Sequence, residues 1–227
     1  MTDPLTLVLR RRRQRSLAPG RGTLLLGGGA ALTVGTVLVG EIGRVWRRGS
    51  APLPKDAASL LLAAEEAVGE TAQVARAGYL QGSSRENAMF NLLSSFVGSF
   101  LTARGITYLL RHRSRFGPFG NVRVGRRHIH HFVPGIVVAF ASGATAIVTR
   151  NEDLEPWLAV PFGIGMGLTL DESALLLELE DVYWTREGLL SVQITMAVAA
   201  LLASVALSLR FLRRGERLVL EPEPAGG

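Results

Sequence analysis

The apolar positions of this chain are gathered into five runs, each of about the length that a helix needs to cross a bilayer. Polar or charged segments separate the runs, and arginines stand at several of their ends. The runs cover residues 23–40, 87–110, 132–149, 156–177 and 189–209. This pattern predicts an all-α fold, a polytopic membrane bundle of about five transmembrane helices.

The same pattern predicts how the chain is divided. We expect residues 1–22 to form a basic cytoplasmic tail and residues 23–48 the first transmembrane helix. Residues 49–85 should hold a linker and one amphipathic surface helix. Residues 86–212 should form a transmembrane core of four helices, and residues 213–227 a polar tail.

The amphipathic helix is predicted between Asp56 and Leu80, where apolar residues recur at steps of three and four. Asp56 is the expected N-cap. The predicted apolar face comprises Leu60, Leu61, Ala64, Val68, Ala72 and Ala75. Because this segment carries too many charges to cross the bilayer, we expect it to lie at the membrane surface or to pack over the bundle.

Small residues spaced four apart predict where the transmembrane helices approach one another closely, since they let two backbones come near in lipid. Three such stripes occur, one in each of three successive apolar runs. They are Ser94, Gly98 and Thr102 (with Ser95 and Ser99 beside them), then Gly135, Ala139 and Gly143, then Gly163 and Gly167.

The composition excludes several classes of protein. Hydrophobic residues make up 48% of the 227 positions and charged residues only 19%, which is not the balance of a soluble enzyme. There is no cysteine, so a disulfide scaffold, a thiolate metal site and a cysteine nucleophile are excluded. We therefore expect a multi-pass protein of the cell (plasma) membrane.

The net charge of +6 invites a nucleic-acid interpretation, but the placement of the basic residues argues against it. They flank the apolar runs, where they set membrane orientation and attract anionic lipid head groups. The segment Arg111–Arg127 holds six arginines and no acid, so we place it in the cytoplasm, with residues 150–155 outside. The expected partners are thus the lipid bilayer and its anionic head groups, with no nucleic acid. Arginines 210, 213, 214 and 217 then lie on the side that this rule disfavours.

Candidate chemistry is concentrated in two groups of residues. Three histidines, His128, His130 and His131, precede the third run, and acids occur late in the fourth run and just after it. Because about six residues join these two runs, they should form an antiparallel hairpin in which His130 lies at the level of residue 175. The acids are Asp171, Glu172, Glu178, Glu180 and Asp181.

Three interpretations of these groups remain open. The first is a divalent-metal site for zinc, iron or manganese, in which His128, His130, His131, Asp171 and Glu178 are the ligands. Glu172 would act as a catalytic base or orient a ligand, and the reaction would be hydrolysis of a membrane-held substrate. The second is structural: Arg104, at nearly the same depth as Asp171, neutralises Asp171 or Glu172 in an ion pair. The third is a proton or ion path through a histidine and an acid.

At Arg127–His131 and at Gly163–Glu172 the sequence resembles a group of uncharacterised bacterial integral membrane proteins, of an actinobacterial type. That group carries a His-Ile-His-His segment before one span and a glycine-rich Leu-Asp-Glu segment in the next. The resemblance covers roughly residues 90–205. It implies that the two motifs act as a unit, and it implies no reaction.

Overall fold

The computed structural model describes residues 21–112, 123–124, 127–128, 132–171 and 186–220. These residues form six helices and one antiparallel pair of two-residue strands. In chain order the elements are α1 (Arg21–Arg48), α2 (Leu60–Leu80), α3 (Ser84–His112), β1 (Arg123–Val124), β2 (Arg127–His128), α4 (Phe132–Thr149), α5 (Glu155–Asp171) and α6 (Arg186–Val219).

The described chain is helical, as predicted, and three of its helices are long and apolar enough to cross a membrane. These are Leu24–Arg48 in α1, Phe132–Thr149 in α4 and Val192–Val219 in α6. The predicted number of five spans is not supported by length and composition in the described residues. Helix α3 contains Asn87, Asn91 and Arg104 in its apolar run, and the described part of α5 has 17 residues.

Helix α5 lies between α3 and α4, and glycines allow both approaches. A Cβ placed on Gly167 would stand 2.7 Å from the carbonyl oxygen of Phe96 in α3. On the other face of α5, a Cβ on Gly165 would stand 2.6 Å from the amide nitrogen of Ala139 in α4. Since carbon cannot come this near to backbone atoms, both positions require glycine for the observed packing.

Helices α4 and α5 form the predicted antiparallel hairpin in the predicted register. Gly135 faces Thr169, and Gly143 faces the ring of Phe162. The N-terminal end of α4 and the Asp171 end of α5 therefore lie at the same end of the bundle. The short connection between the two helices explains this register, because it leaves no slack for the helices to slide.

The small residues of α3 were predicted to face a neighbour, and the structure corrects which of them do. A Cβ on Gly98 would have open space around it, and both Gly98 and Thr102 are exposed. Ser95 and Ser99 instead lie against Gly163 and Gly167 of α5. Gly98 therefore makes no close helix contact among the described residues. The neighbouring serines, Ser95 and Ser99, do contact α5, because the face of α3 that meets α5 is rotated by one residue relative to Gly98.

Helix α6 runs antiparallel to α3 and ends against α1 and α2. A Cβ on Gly78 of α2 would collide with the carbonyl group of Phe211, and one on Gly215 of α6 would stand 2.7 Å from the carbonyl carbon of Val74. Val45, Val74 and Leu212 form a small apolar core between α1, α2 and α6. The end of α1 and the second half of α2, which runs antiparallel to α6, are thus fixed to the C-terminal part of α6.

The surface helix α2 differs in two ways from its prediction. It begins at Leu60 with Ser59 as its N-cap residue, while Asp56 lies in a preceding turn. Its buried residues are Ala63, Ala67, Val74 and Gly78, whereas Leu60, Leu61 and Val68 of the predicted face are exposed. The close approach of α6 selects the face with the smallest residues, because leucines would hold the two backbones apart.

Candidate functional site

A polar cluster of three residues lies where α3, α5 and α6 meet at one end of the bundle. Arg104 comes from α3, Asp171 from α5 and Gln193 from α6. Helices α3 and α5 run parallel, so that Asn91 contacts Pro156 near their N-terminal ends and Arg104 reaches Asp171 at the other end. Because α6 runs the opposite way, its first turns bring Gln193 to the same level.

The centre of the cluster is an ion pair. Nε of Arg104 lies 2.7 Å from Oδ1 of Asp171, and the Asp171 side chain is only 4% exposed, compared with 40% for that of Arg104. The guanidinium also stands over the ring of Phe100, 5.3 Å from its centroid. A carboxylate so deeply buried among apolar helices needs a cation beside it, since an isolated charge there costs several kcal/mol.

Gln193 links the ion pair to the backbone. Its Oε1 accepts a hydrogen bond of 2.8 Å from Nη2 of Arg104, and its Nε2 donates one of 2.7 Å to the carbonyl oxygen of Leu170. Gln193 was not among the predicted site residues, because it lies in a run, 189–209, that is otherwise apolar. The signal in the sequence was a glutamine, whose amide is both a donor and an acceptor, in an otherwise apolar stretch.

The structure describes only part of the predicted histidine and acid site. The backbone of His128 pairs with that of Arg123 in the β1–β2 ladder. His130, His131, Glu172 and Glu178 lie outside the described residues. Among the residues that are described, no three histidines or acids come together as ligands for a metal. Asp171, the predicted oxygen ligand that the structure does describe, is paired with Arg104.

A second charged cluster lies at the opposite end of the bundle and was not foreseen from the sequence. Glu216 of α6, whose side chain is 5% exposed, forms ion pairs with Arg44 and Arg48 of α1. Arg213 pairs with Glu41 at 3.0 Å. Each of these pairs joins α1 to α6, so the cluster fixes the first helix to the last.

Arg214 extends this cluster to α2 and α3. One of its guanidinium nitrogens lies 2.8 Å from Glu86 at the start of α3, and another donates to the carbonyl oxygen of Gly78 in α2. Two of the four arginines that opposed the predicted orientation, Arg213 and Arg214, are therefore neutralised by acids.

Glu70 of α2 fastens the linker that follows α1. Burial raises the pKa of its carboxyl, but hydrogen bonds from the Ser50 hydroxyl and from the amides of Ser50 and Ala51 outweigh this effect. The net result is a pKa below its ordinary value of 4.5. The carboxylate form of Glu70 is thus the one that holds the linker against α2.

The two clusters mark the ends of a band without charge. Along α3 the distance from Glu86 to Arg104 is about 27 Å at 1.5 Å per residue, and no charged residue lies between them. The same holds for α5 between Glu155 and Asp171 and for the whole of α4. The width of this band is close to the hydrocarbon thickness of a bilayer, about 30 Å.

No protein-family model, curated protein or solved structure matches this chain. The resemblance to the bacterial membrane proteins therefore stays a prediction.

Proposed function

We propose that this chain is a non-enzymatic structural or interaction protein of the plasma membrane, with five spans held together by the cluster of Arg104, Asp171 and Gln193. The observation that carries this proposal is the buried ion pair of Asp171. Its carboxylate is buried and lies 2.7 Å from the guanidinium of Arg104. A side chain committed to an internal cation is suited to fixing three helices together, and less suited to the predicted role of a metal ligand.

The charge-free band supports five spans, although only three helices in the described part of the chain are both long and apolar enough to cross a membrane. Helix α5 packs along the whole of α4, and α3 packs along α5. If α4 crosses the membrane, a partner of equal length packed against it in antiparallel fashion crosses as well. The polar residues that lower the hydropathy of α3, such as Asn91 and Ser95, face α5 or bond within the protein.

The proposed orientation places the end with Arg104 in the cytoplasm. Helix α3 leads from Arg104 into the segment Arg111–Arg127, whose six arginines favour the cytoplasmic side. The other end then lies outside, with the ion pairs of Arg213 and Arg214. Anionic head groups of the inner leaflet are the partners that the arginine-rich segment would attract.

Single cysteines test the number of spans, because the natural chain has none. Gln81→Cys, Ser114→Cys and Glu152→Cys are made separately and labelled on intact cells with a membrane-impermeant maleimide. Five spans predict labelling of residues 81 and 152 from outside, and of residue 114 only after permeabilisation. Three spans, formed by α1, α4 and α6, place residues 81 and 114 on one side and residue 152 on the other, which contradicts the proposal.

A divalent-metal site is the second candidate, and the α4–α5 hairpin favours it. Residue 131 directly precedes Phe132, and the start of α4 lies at the Asp171 end of α5. This arrangement supports the proposal that His128, His130 and His131 lie near Asp171, Glu172 and Glu178. The ion pair with Arg104 counts against Asp171 as a ligand, because a cation already occupies its side.

Elemental analysis of detergent-purified protein separates the two candidates. A metal site predicts about one zinc, iron or manganese ion per chain, which His130→Ala and Asp171→Asn both remove. His112→Ala is the matched control, because this fourth histidine is not among the proposed ligands. Purified wild-type protein without stoichiometric metal contradicts the metal site and agrees with the structural role.

A further inference from the structure

An apolar groove of about 600 Å³ lies on the α4–α5 hairpin, and α3 and α6 each contribute one residue to its lining. Its one polar lining side chain, Thr169, donates its hydroxyl hydrogen to the carbonyl oxygen of Gly165. The groove therefore offers almost no hydrogen-bonding groups to an occupant. The residues that line it include Phe96, Phe140, Gly143, Phe162, Leu170 and Met196.

One end of the groove lies next to the Arg104 cluster. Leu170 in its wall directly precedes Asp171, and Met196 is one turn beyond Gln193. On α3 the lining residue Phe96 stacks against Phe100, with 6.2 Å between the ring centroids, and Phe100 supports the guanidinium. An occupant of the groove would thus have its end about one helical turn from Arg104.

The length of the groove fits one lipid chain. From Ile136 to Ile147 it follows α4 for roughly 16 Å, about half of the hydrocarbon thickness. A single acyl chain occupies a similar length, and a chain that begins at the Arg104 end would follow the groove past the middle of α4. The open side of the groove is bounded by exposed apolar residues such as Phe140 and Ile147.

The charge at the end of the groove favours an anionic head group. Arg104 uses Nε for Asp171 and Nη2 for Gln193, yet 40% of its side chain remains accessible. A guanidinium has five donors and binds phosphate oxygens with good geometry. Its distance of about 27 Å from Glu86 places it near the boundary of the hydrocarbon layer, where lipid phosphates lie.

We propose that the groove binds one anionic phospholipid, with an acyl chain along α4 and α5 and the phosphate on Arg104. This inference rests on the proposed function, since it requires α4 and α5 to lie in the membrane. The segment 111–127, which follows Arg104 along the chain, carries six arginines, and these would strengthen the preference for an anionic lipid.

Native mass spectrometry of delipidated, detergent-purified protein tests the proposal. The probes are phosphatidylglycerol and phosphatidylcholine with identical acyl chains. We expect one phosphatidylglycerol molecule to bind each chain at least about fivefold more tightly than phosphatidylcholine, because its head group has a net negative charge, whereas the quaternary ammonium of phosphatidylcholine offsets its phosphate. Equal retention of both lipids overturns the proposal. This comparison uses the unaltered protein, so it decides the matter even if a variant fails to fold.

Two tryptophan variants of α4 test the groove itself. Ala144 is an exposed residue that lines the groove, and Ala141 is an exposed residue that does not. Ala144→Trp should weaken phosphatidylglycerol binding about tenfold by filling the groove, while Ala141→Trp should leave it unchanged. Unchanged binding in Ala144→Trp, or a groove covered by a second copy of the chain, overturns the lipid site. Cysteine labelling reads the spans separately, so a failure of the five-span proposal is recognised on its own.

Discussion

Removing Arg104 should destabilise the bundle more than removing the charge of its partner. In Arg104→Met the carboxylate of Asp171, which is 4% exposed, loses the cation beside it. Breaking a buried pair in this way costs about 3–5 kcal/mol. Because the side chain of Arg104 is 40% exposed, solvent screens the pair, and we expect about 2–3 kcal/mol.

Removing the charge of Asp171 should cost less stability than removing Arg104. In Asp171→Asn the guanidinium loses its anion, but it is accessible enough to turn toward lipid head groups. We expect a loss of about 1 kcal/mol. The double variant should be more stable than Arg104→Met alone, because it also removes the buried charge from which Arg104→Met takes the guanidinium, with a coupling of about 1–2 kcal/mol.

Reversible unfolding in mixed micelles, followed by tryptophan fluorescence, measures the free energy of unfolding of the two single variants and the double variant. Arg210→Met is the matched control, since Arg210 is an exposed arginine of α6 and its removal should change stability by less than about 0.5 kcal/mol. Additive losses in the double variant, or an Arg104→Met loss no larger than that of the control, would show that the ion pair does not hold the helices together.

Two further predictions concern the α2 side of the molecule. Gly215→Ala should lower the free energy of unfolding in detergent by about 1–3 kcal/mol, because its Cβ meets the backbone of Val74. Gly69→Ala has open space around it and should raise the free energy of unfolding by about 0.5–1 kcal/mol. Equal effects of the two changes would contradict the close α2–α6 contact. The pKa of Glu70 is lower in the folded protein than its ordinary value of 4.5. Its contribution to the free energy of unfolding is therefore present above pH 4.5 and is lost as the pH falls through the folded pKa. The stability difference between wild type and Glu70→Gln, less than about 1 kcal/mol, should therefore shrink between pH 7 and pH 3 in a pH series of unfolding curves.

Much of the helical architecture was predictable from the pattern of apolar residues. The hairpin of α4 and α5 follows from two apolar runs joined by a short connection, and its register follows from the constant rise of a helix. The same depth argument placed Arg104 near Asp171 before any contact was known. These features are local or nearly local, so the order of residues along the chain is sufficient to derive them.

The contacts that hold distant helices together were not predictable in this way. Gln193 joins the Arg104 cluster because α6 runs antiparallel to α3, and Arg213 and Arg214 are neutralised because α1 and α3 bring Glu41 and Glu86 to the C-terminal part of α6. Whether Gly98 or Ser99 of α3 meets a neighbour depends on a rotation of one residue about the helix axis. Apolar residues surround most of α3, so hydrophobicity does not specify that rotation.

The sequence by itself therefore determined that the chain is helical, that apolar helices of membrane length are present, and how α4 and α5 are paired. Only the tertiary structure decided which faces meet and which charges neutralise one another, because these depend on the packing of helices that are far apart in sequence. In a bundle this apolar, small residues and paired charges select the arrangement, since burying one apolar face is nearly as favourable as burying another.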